Sequence, residues 1–180
     1  MNNKVLVTGG AGFIGSHIVD KLCQRGHDVI VLDNLLQGNK LSGESKSLVE
    51  LVEGDVRDAQ LVDRLVKQCR YVFHLAAYLG VDIVAEKPVE TMEVESIGTY
   101  NIVNSALRHD VEKLIYSSTS GVYGKIAIEK AVDENFMLSP SSSYSIAKRY
   151  NEIYLQSIHQ EFGMQAFALR YFNVYGRSEE

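Results

Sequence analysis

Cysteine is scarce in this chain of 180 residues, which contains two, Cys23 and Cys69. Neither has the close partner that marks a metal-binding or redox motif, and both lie in segments that we interpret as helix ends. We therefore expect two reduced, structural thiols and a cytoplasmic protein. The five histidines are also unclustered and never reach metal-ligand spacing, so we predict no metal site.

Basic residues are also fewer than acidic ones. Eighteen Lys and Arg residues stand against 23 Asp and Glu residues, which gives a formal net charge of −5. A mildly acidic surface supplies neither a basic groove for nucleic acid nor a polybasic patch for a membrane surface, so we predict no partner of either class. An anionic ligand must instead be held locally, by backbone dipoles.

Long apolar runs are absent too. The most apolar stretch, from Tyr71 to Ala85, is interrupted by His74 and Asp82 and is too short to span a bilayer. The folding pattern begins at Lys4, which leaves no room for a signal peptide. No internal repeat or low-complexity tract is present. We expect a soluble, intracellular protein.

What the chain does have is the composition of a globular domain and a regular alternation of patterns. Hydrophobic residues make up 46% and charged residues 23%, and a chain of this length buries about 70% of its unfolded surface. Apolar, β-branched runs predict strands at Lys4–Thr8, Asp28–Asp33, Leu48–Gly54, Tyr71–Ala76, Lys113–Ser118 and Gln165–Arg170. Amphipathic stretches predict helices at Gly12–Arg25, Asp58–Gln68, Glu90–Arg108 and Ser142–Phe162. This alternation predicts an α/β fold with a doubly wound parallel sheet.

A glycine-rich turn joins the first strand to the first helix, in the sequence VLVTGGAGFIG at residues 5–15. Gly10, Gly12 and Gly15 satisfy the pattern G-x-G-x-x-G, and Gly9, Gly12 and Gly15 satisfy a G-x-x-G-x-x-G variant. Without Cβ atoms the backbone can approach a pyrophosphate, which the free N–H groups at the helix N-terminus would bind. The strand before the glycines and the helix after them are the context that this motif requires.

An acidic residue ends the second predicted strand. Asp33 follows Gly15 by 18 residues, and its carboxylate can accept both hydroxyls of an adenosine ribose while repelling a 2′-phosphate. No Arg or Lys follows Asp33 until Lys40, so the pattern favours NAD over NADP. The alternative is that Asp33 is only a turn residue at the end of a strand.

Tyr144 and Lys148 stand four residues apart near the start of a predicted helix, so they share one face of it. The preceding strand ends at Thr119, on the sheet edge where doubly wound folds bind ligands. The Lys148 ammonium and a cationic nicotinamide would both lower the pKa of Tyr144 towards the range of a working base, and Thr119 could hydrogen-bond the same substrate oxygen. The alternative is a Tyr and a Lys on an exposed helix.

Taken in order, these residues resemble the extended short-chain dehydrogenase/reductase superfamily, in its NAD-dependent epimerase/dehydratase branch acting on nucleotide sugars. The resemblance covers the whole chain. It rests on Thr8–Gly15, Asp33–Asn34, Gly54–Asp58, His74–Ala77, Gly98–Thr99, Ser118–Thr119, Val122–Gly124, Tyr144–Lys148 and Leu169–Asn173.

The resemblance implies a role for each matching residue. The cofactor would be bound by Gly9, Gly12, Phe13, Ile14, Gly15, Asp33, Asn34, Asp55, Val56, Leu75, Ala76, Ala77, Tyr144, Lys148, Tyr171 and Phe172. Thr119, Tyr144 and Lys148 would be catalytic, and Thr119, Tyr144 and Asn173 would contact the nucleotide sugar. Tyr144 would take the proton of the C4 hydroxyl while hydride passes to NAD, and an epimerase would return hydride to the opposite face of the 4-keto sugar.

Three positions depart from the family pattern. Dehydratases of this branch carry an acidic residue where this chain has Thr119, Ser120 and Gly121, so we favour an epimerase, with a dehydratase, a reductase or a catalytically idle NAD-binding module as alternatives. Glu95 replaces the usual Asn three residues before Gly98. Leu79 stands where many galactose epimerases have a lysine that contacts the cofactor.

The resemblance also concerns length and assembly. Relatives continue for well over a hundred residues into a small C-terminal domain that covers the substrate. We therefore interpret residues 1–180 as an NAD-binding domain without that lid, which alone should catalyse poorly. The helical stripe of Tyr150, Ile153, Tyr154 and Ile158, with Glu90–Arg108, would form the four-helix seam of a homodimer.

Overall fold

A computed structural model of the chain describes residues 3–78 and 81–177 and contains one six-stranded parallel sheet. Its strands are β1 (Lys4–Thr8), β2 (Asp28–Asp33), β3 (Glu50–Glu53), β4 (Tyr71–His74), β5 (Lys113–Thr119) and β6 (Gln165–Tyr171). They lie side by side in the order β3-β2-β1-β4-β5-β6, and every neighbouring pair is parallel. Leu79 lies outside the described residues.

The connections between the strands are mostly helical. The helices are α1 (Phe13–Gln24), α2 (Gly43–Leu48), α3 (Ala59–Val66), α4 (Val81–Glu86), α5 (Pro88–Glu93), α6 (Thr99–Arg108), α7 (Ile126–Glu129) and α8 (Ser143–Phe162). A π-helical segment at Val94–Gly98 joins α5 to α6, and a 3₁₀ turn at Ser120–Tyr123 follows β5. This arrangement confirms the predicted doubly wound sheet.

Successive residues of the central strands are buried on opposite faces of the sheet. Leu6 packs with Ile102 and Leu114 in the larger core cluster, whereas Val7 packs with Val19 and Val31 in the smaller one. Both faces of the central strands are thus covered, which explains why these strands are continuous apolar runs in the sequence without polar alternation.

The predicted long helix over Glu90–Arg108 is wrong in one respect: it is not continuous. The chain forms α5, then the π-helical segment, then α6. Asn101 donates from Nδ2 to the carbonyl oxygens of Val56 and Arg57, both at 3.0 Å, and Gly98 packs directly on Val56. These tertiary contacts anchor the start of α6, and hydrophobic periodicity contains no signal for them.

Helix α8 has strong signals at both ends, and its start lies close to Tyr144. The Ser142 hydroxyl accepts the Ser145 N–H at 3.1 Å, and the Ser145 hydroxyl accepts the Ser142 N–H at 3.0 Å, which together form a capping box. Gly163 ends the helix with a φ of +74°. The capping box thereby fixes where α8 begins. Tyr144 and Lys148 lie in the first two turns of this helix.

The cysteines are free thiols in this structure. Cys69 is buried, and burial raises its pKa to about 12, so the thiol stays protonated and unreactive at neutral pH. Within residues 3–78 and 81–177, no helix is both long enough and apolar enough to cross a membrane.

Candidate active site

The carboxyl ends of all six strands meet at one edge of the sheet because the strands are parallel. The chain leaves β1 towards β2 and β3 on one side, and returns to β4 and β5 on the other. The crevice between β1 and β4 is therefore the topological switch point, where open α/β sheets bind ligands.

The glycine-rich turn lies at the β1 end of this crevice. Gly9 has a φ of +68°, a left-handed conformation, and a Cβ there would lie 2.7 Å from the amide nitrogen of Ala76. A Cβ at Gly15 would collide with the carbonyl oxygen of Gly9. Gly12 is the N-cap of α1 and has no side chain to cap it, so the first amides of the helix are available to an anion.

The carboxylate of Asp33 is held beside this turn by two backbone amides. Oδ2 accepts the N–H of Ala11 and Oδ1 accepts the N–H of Leu35, both at 2.9 Å. Leu35 has a φ of +56°, so the chain turns sharply after β2. The Leu35 contact is that of a turn residue, and through Ala11 the same carboxylate also joins two loops that border the crevice.

A cavity at the crevice brings together nine of the predicted cofactor residues. These are Gly9, Gly12, Asp33, Asn34, Asp55, Val56, Leu75, Ala76 and Ala77. It is also lined by residues that the sequence reasoning missed, namely Leu32, Leu36, Gln37, Gly38, Gly54, Tyr78 and Val94. Leu32, Gly54 and Tyr78 are each next in sequence to a predicted residue, and this adjacency is the sequence signal that could have found them.

Other predicted residues lie outside this cavity. Phe13, Ile14 and Tyr171 line a second cavity, between α1 and the segment after β6. Phe172 packs against Tyr123, with ring centroids 6.2 Å apart, and lines a third cavity. Asn173 is exposed after the end of β6.

The carboxylate of Asp55 is paired with the guanidinium of Arg57. This carboxylate accepts from Arg57 Nη2 at 2.7 Å and from Arg57 Nε at 3.0 Å, and these hydrogen bonds lower the pKa of Asp55. Arg57 Nη1 also donates to Glu93 at 3.1 Å. The Asp55 side chain therefore stabilises its loop, and both Asp55 and Val56 line the first cavity.

Tyr144 and Lys148 lie together, as predicted. Lys148 is 0% exposed, and its Nζ is 5.4 Å from the centroid of the Tyr144 ring. Thr119, at the end of β5, accepts the Gly121 N–H on its Oγ1 at 3.1 Å, which leaves the hydroxyl proton for another acceptor. A Cβ at Gly121 would lie 3.4 Å from both Thr119 and Ser145, so the end of β5 lies close to the start of α8, which carries Tyr144.

The electrostatics of Tyr144 differ from the expectation. We expected the Lys148 ammonium to lower the pKa of Tyr144, but in this structure that pKa is raised, first by burial and then by the negative charge of Glu95. Glu95 Oε2 lies 3.1 Å from Lys148 Nζ. The Lys148 ammonium, which would favour a Tyr144 phenolate, is therefore already paired with the Glu95 carboxylate.

Beneath these residues runs a chain of buried hydrogen bonds. His74 Nδ1 lies 2.7 Å from the Thr8 hydroxyl, and His74 Nε2 lies 3.1 Å from the Thr99 hydroxyl. Burial and the charge of Lys148 lower the pKa of His74 to about 3, so its ring is neutral and has one N–H. Asn151 Nδ2 extends the chain, at 3.1 Å from Thr99 Oγ1 and 2.8 Å from the hydroxyl of Tyr116.

His74 is accordingly a structural histidine that connects the glycine-rich turn to the β5 end of the site. Across the described ranges, 3–78 and 81–177, no three His, Cys, Asp or Glu side chains converge as metal ligands.

Comparison with known proteins identifies a family for this chain. The family model "NAD dependent epimerase/dehydratase family" matches residues 5–180. The chain belongs to this family. A UDP-glucose 4-epimerase from Halalkalibacterium halodurans is 37% identical over 174 residues, which cover 96% of this chain and 51% of that protein.

Members of the family with other activities are equally similar. A UDP-N-acetyl-alpha-D-glucosaminuronate decarboxylase from Bacillus cytotoxicus is 38% identical over 181 residues, which cover 98% of this chain and 56% of that protein. Sequence similarity at this level therefore identifies the family without separating one sugar reaction from another.

Among solved structures, the UDP-glucose 4-epimerase of Thermus thermophilus in complex with NAD superposes with a TM-score of 0.89. It is 39% identical, and the match covers 98% of this chain and 57% of that one. The chain thus spans about half the length of these family members.

The close packing at the glycine-rich turn predicts the effect of adding one methyl group. Alanine normally stabilises a helix interior by about 1 kcal/mol relative to glycine. Because a Cβ at position 15 would overlap the Gly9 carbonyl oxygen, we expect Gly15→Ala to lower the free energy of unfolding by about 1–3 kcal/mol instead. Chemical denaturation measures this difference.

Gly43→Ala is the matched control. Gly43 opens helix α2, and a Cβ there would meet nothing within 4 Å, so its stability should be unchanged or slightly higher. A Gly15→Ala protein as stable as this control would contradict the close approach of α1 to the glycine-rich turn.

Proposed function

We propose that residues 1–180 form the NAD-binding domain of a nucleotide-sugar epimerase. Its substrate would be a UDP-sugar, epimerised at C4 through a transient 4-keto sugar with Tyr144 as the base. The observation that carries the proposal is that Gly9 and Asp33 line one cavity at the carboxyl ends of the strands, while Tyr144 and Lys148 lie together on α8, which packs against β5.

The residues around the first cavity fit NAD. Gly9 and Gly15 allow the turn to pack tightly against neighbouring backbone, which a Cβ at either position would prevent, and the amides at the start of α1 would bind the pyrophosphate. Asp33 is positioned by two amides, and its carboxylate would accept the hydroxyls of the adenosine ribose. Val56 would border the adenine, with Leu75, Ala76 and Ala77 along the dinucleotide.

Within the proposed reaction, Thr119 at the end of β5 and Tyr144 and Lys148 on α8 would act on the substrate and the cofactor. NAD, when bound, would supply the hydride acceptor. Tyr144 would remove the proton of the C4 hydroxyl, and the Thr119 hydroxyl would donate to the same oxygen. Lys148 would stabilise the Tyr144 phenolate and hold the nicotinamide ribose. Tyr171, Phe172 and Asn173, at and just after the end of β6, would contribute to the nicotinamide and sugar ends.

An epimerase fits the residues after β5 better than a dehydratase does. The 3₁₀ turn at Ser120–Tyr123 begins directly after Thr119 and contains no acidic side chain to carry the proton of an eliminated water. The UDP-glucose 4-epimerases among the relatives support the same choice.

Asp33 provides the test of cofactor binding. We expect Asp33→Asn to weaken NAD binding about tenfold, because it removes a charged acceptor from the ribose hydroxyls, and to improve the relative affinity for NADP. Isothermal titration with each dinucleotide measures both effects. Asp28→Asn, at the exposed start of the same strand, is the control and should bind like the wild type. An unaltered preference in Asp33→Asn would remove the assignment of Asp33.

Tyr144 provides the test of the reaction. The protein expressed from its full reading frame should convert a UDP-sugar into its 4-epimer, and Tyr144→Phe should lower turnover about 100-fold or more, since a general base contributes at least that much. Tyr71→Phe, at the start of β4 and so at the opposite edge of the sheet, should retain full turnover. Chromatography of the sugar nucleotides gives the rates.

The products separate the alternatives. A 4-keto-6-deoxy sugar would identify a dehydratase, and NAD binding with no product from any UDP- or dTDP-sugar would identify an idle NAD-binding module. Either result would overturn the proposed epimerase.

An exposed apolar surface supports a homodimer. Tyr150 and Ile153 of the predicted stripe are 54% and 51% exposed, but Ile158 is 7% exposed and belongs to the core. The exposed surface continues through Ile146 on the same helix and through Ile97 and Tyr100 on the neighbouring segment. Two copies of this surface would form the four-helix seam.

Sedimentation velocity tests the dimer. We expect the wild type to sediment as a dimer and Ile153→Asp as a monomer, because a carboxylate would be buried unpaired in the seam. Ile128→Asp is the control, since Ile128 is 87% exposed on α7, away from this surface. A monomeric wild type, or a dimeric Ile153→Asp protein, would rule out the seam.

A further inference from the structure

Glu95 and Lys148 form a buried pair of opposite charges beneath the candidate active site. Their side chains are 1% and 0% exposed, and Oε2 of Glu95 lies 3.1 Å from Nζ of Lys148. Such a pair interacts far more strongly than a surface ion pair, because no water screens the two charges.

The fold holds Glu95 in this place from several directions. Glu95 lies in the π-helical segment, a type of turn that is frequent at functional sites. Asn151 of α8 donates from Nδ2 to the Glu95 carbonyl oxygen at 2.9 Å, and a Cβ at Gly98 would lie 2.5 Å from Val56. The position of the carboxylate is therefore set by packed elements and not by a loose loop.

Three further titratable groups face the pair. Tyr116 of β5 has its hydroxyl 3.4 Å from Glu95 Oε2 and its ring centroid 4.7 Å from Lys148 Nζ. The ring centroid of Tyr144, on α8 with Lys148, lies 5.4 Å from the same nitrogen. His74 of β4 contacts the Tyr116 ring and is neutral.

Burial and the Glu95 charge raise the pKa of Tyr116, so that its phenol is neutral as well. Burial raises the pKa of Glu95, and the adjacent Lys148 ammonium acts in the opposite direction by stabilising the carboxylate. In the ion pair the charges of Lys148 and Glu95 cancel.

We propose that Glu95 is a positioning residue that fixes the Lys148 ammonium and offsets its attraction for a Tyr144 phenolate, so that Tyr144 keeps its proton in the resting protein. The proposal rests on the proposed function, which assigns Tyr144 as the base and Lys148 as its partner. It assigns to Glu95 a role that opposes the ionisation of that base.

Several polar atoms around the Glu95–Lys148 pair have no hydrogen-bond partner among the residues that the structure describes. Within residues 3–78 and 81–177, Glu95 Oε1, Lys148 Nζ and Asn151 Oδ1 are buried and lack a hydrogen-bond partner, although Nζ is at ion-pair distance from Oε2. An ammonium has three N–H donors, and Glu95 holds it by charge without a hydrogen bond of regular geometry.

The test is a spectroscopic titration of Tyr144 that needs neither cofactor nor turnover. The rise of phenolate absorbance with pH is recorded for the wild type and for Tyr144→Phe, and the difference isolates Tyr144. The same pair of curves is recorded with Glu95→Gln in both proteins. We expect Glu95→Gln to move the Tyr144 midpoint to lower pH by about one unit, a tenfold larger ionisation constant.

Two controls make the shift specific. Glu129→Gln removes one negative charge from the exposed helix α7 and should leave the midpoint unchanged. Glu95→Asn, a shorter amide, should shift the midpoint in the same direction as Glu95→Gln, and it replaces that variant if Glu95→Gln does not fold. Circular dichroism verifies the fold of each protein.

A Tyr144 midpoint that stays in place, or moves to higher pH, in a folded Glu95 variant would overturn the proposal. Failure of the proposed function would show differently, as absent NAD binding or absent epimer with the tyrosine shift intact. A merely structural Glu95 would lower stability and leave the Tyr144 midpoint where it is.

Discussion

Backbone-to-backbone contact at the end of β1 is the constraint on which the site depends. Gly9 approaches the β4 end at Ala76, and Gly15 approaches the Gly9 carbonyl, so neither position tolerates a side chain. Because these contacts draw the start of α1 into the crevice, its first amides reach the sheet edge where β4 and β5 also end. The same edge then carries Asp33 on one side and Tyr144 with Lys148 on the other.

The two halves of the site are connected through the interior. Thr8, directly before the glycine-rich turn, contacts His74, and the buried contacts continue through Thr99 and Asn151 to the group around Lys148. Buried polar side chains of this kind are stable only when their partners are in place. Buried hydrogen bonds therefore connect the surroundings of Tyr144 and Lys148 to the glycine-rich turn, although the two lie on different elements.

Local patterns in the sequence predict the elements and much of the cavity. The glycines indicate a tight turn, and Asp33 indicates the end of a strand. The Tyr144–Lys148 spacing indicates one face of a helix. The π-helical segment could not be predicted in this way, because it depends on tertiary contacts of Gly98 and Asn101 with the loop at Val56. For the same reason Glu95 was recognisable as a departure from the family but not as the partner of Lys148.

The most direct test of the account is a crystal structure of the protein grown with NAD. The account predicts the pyrophosphate against the amides that follow Gly12, with the adenosine ribose on the Asp33 carboxylate. A dinucleotide bound elsewhere, or a glycine-rich turn that remains empty at saturating NAD, would contradict it.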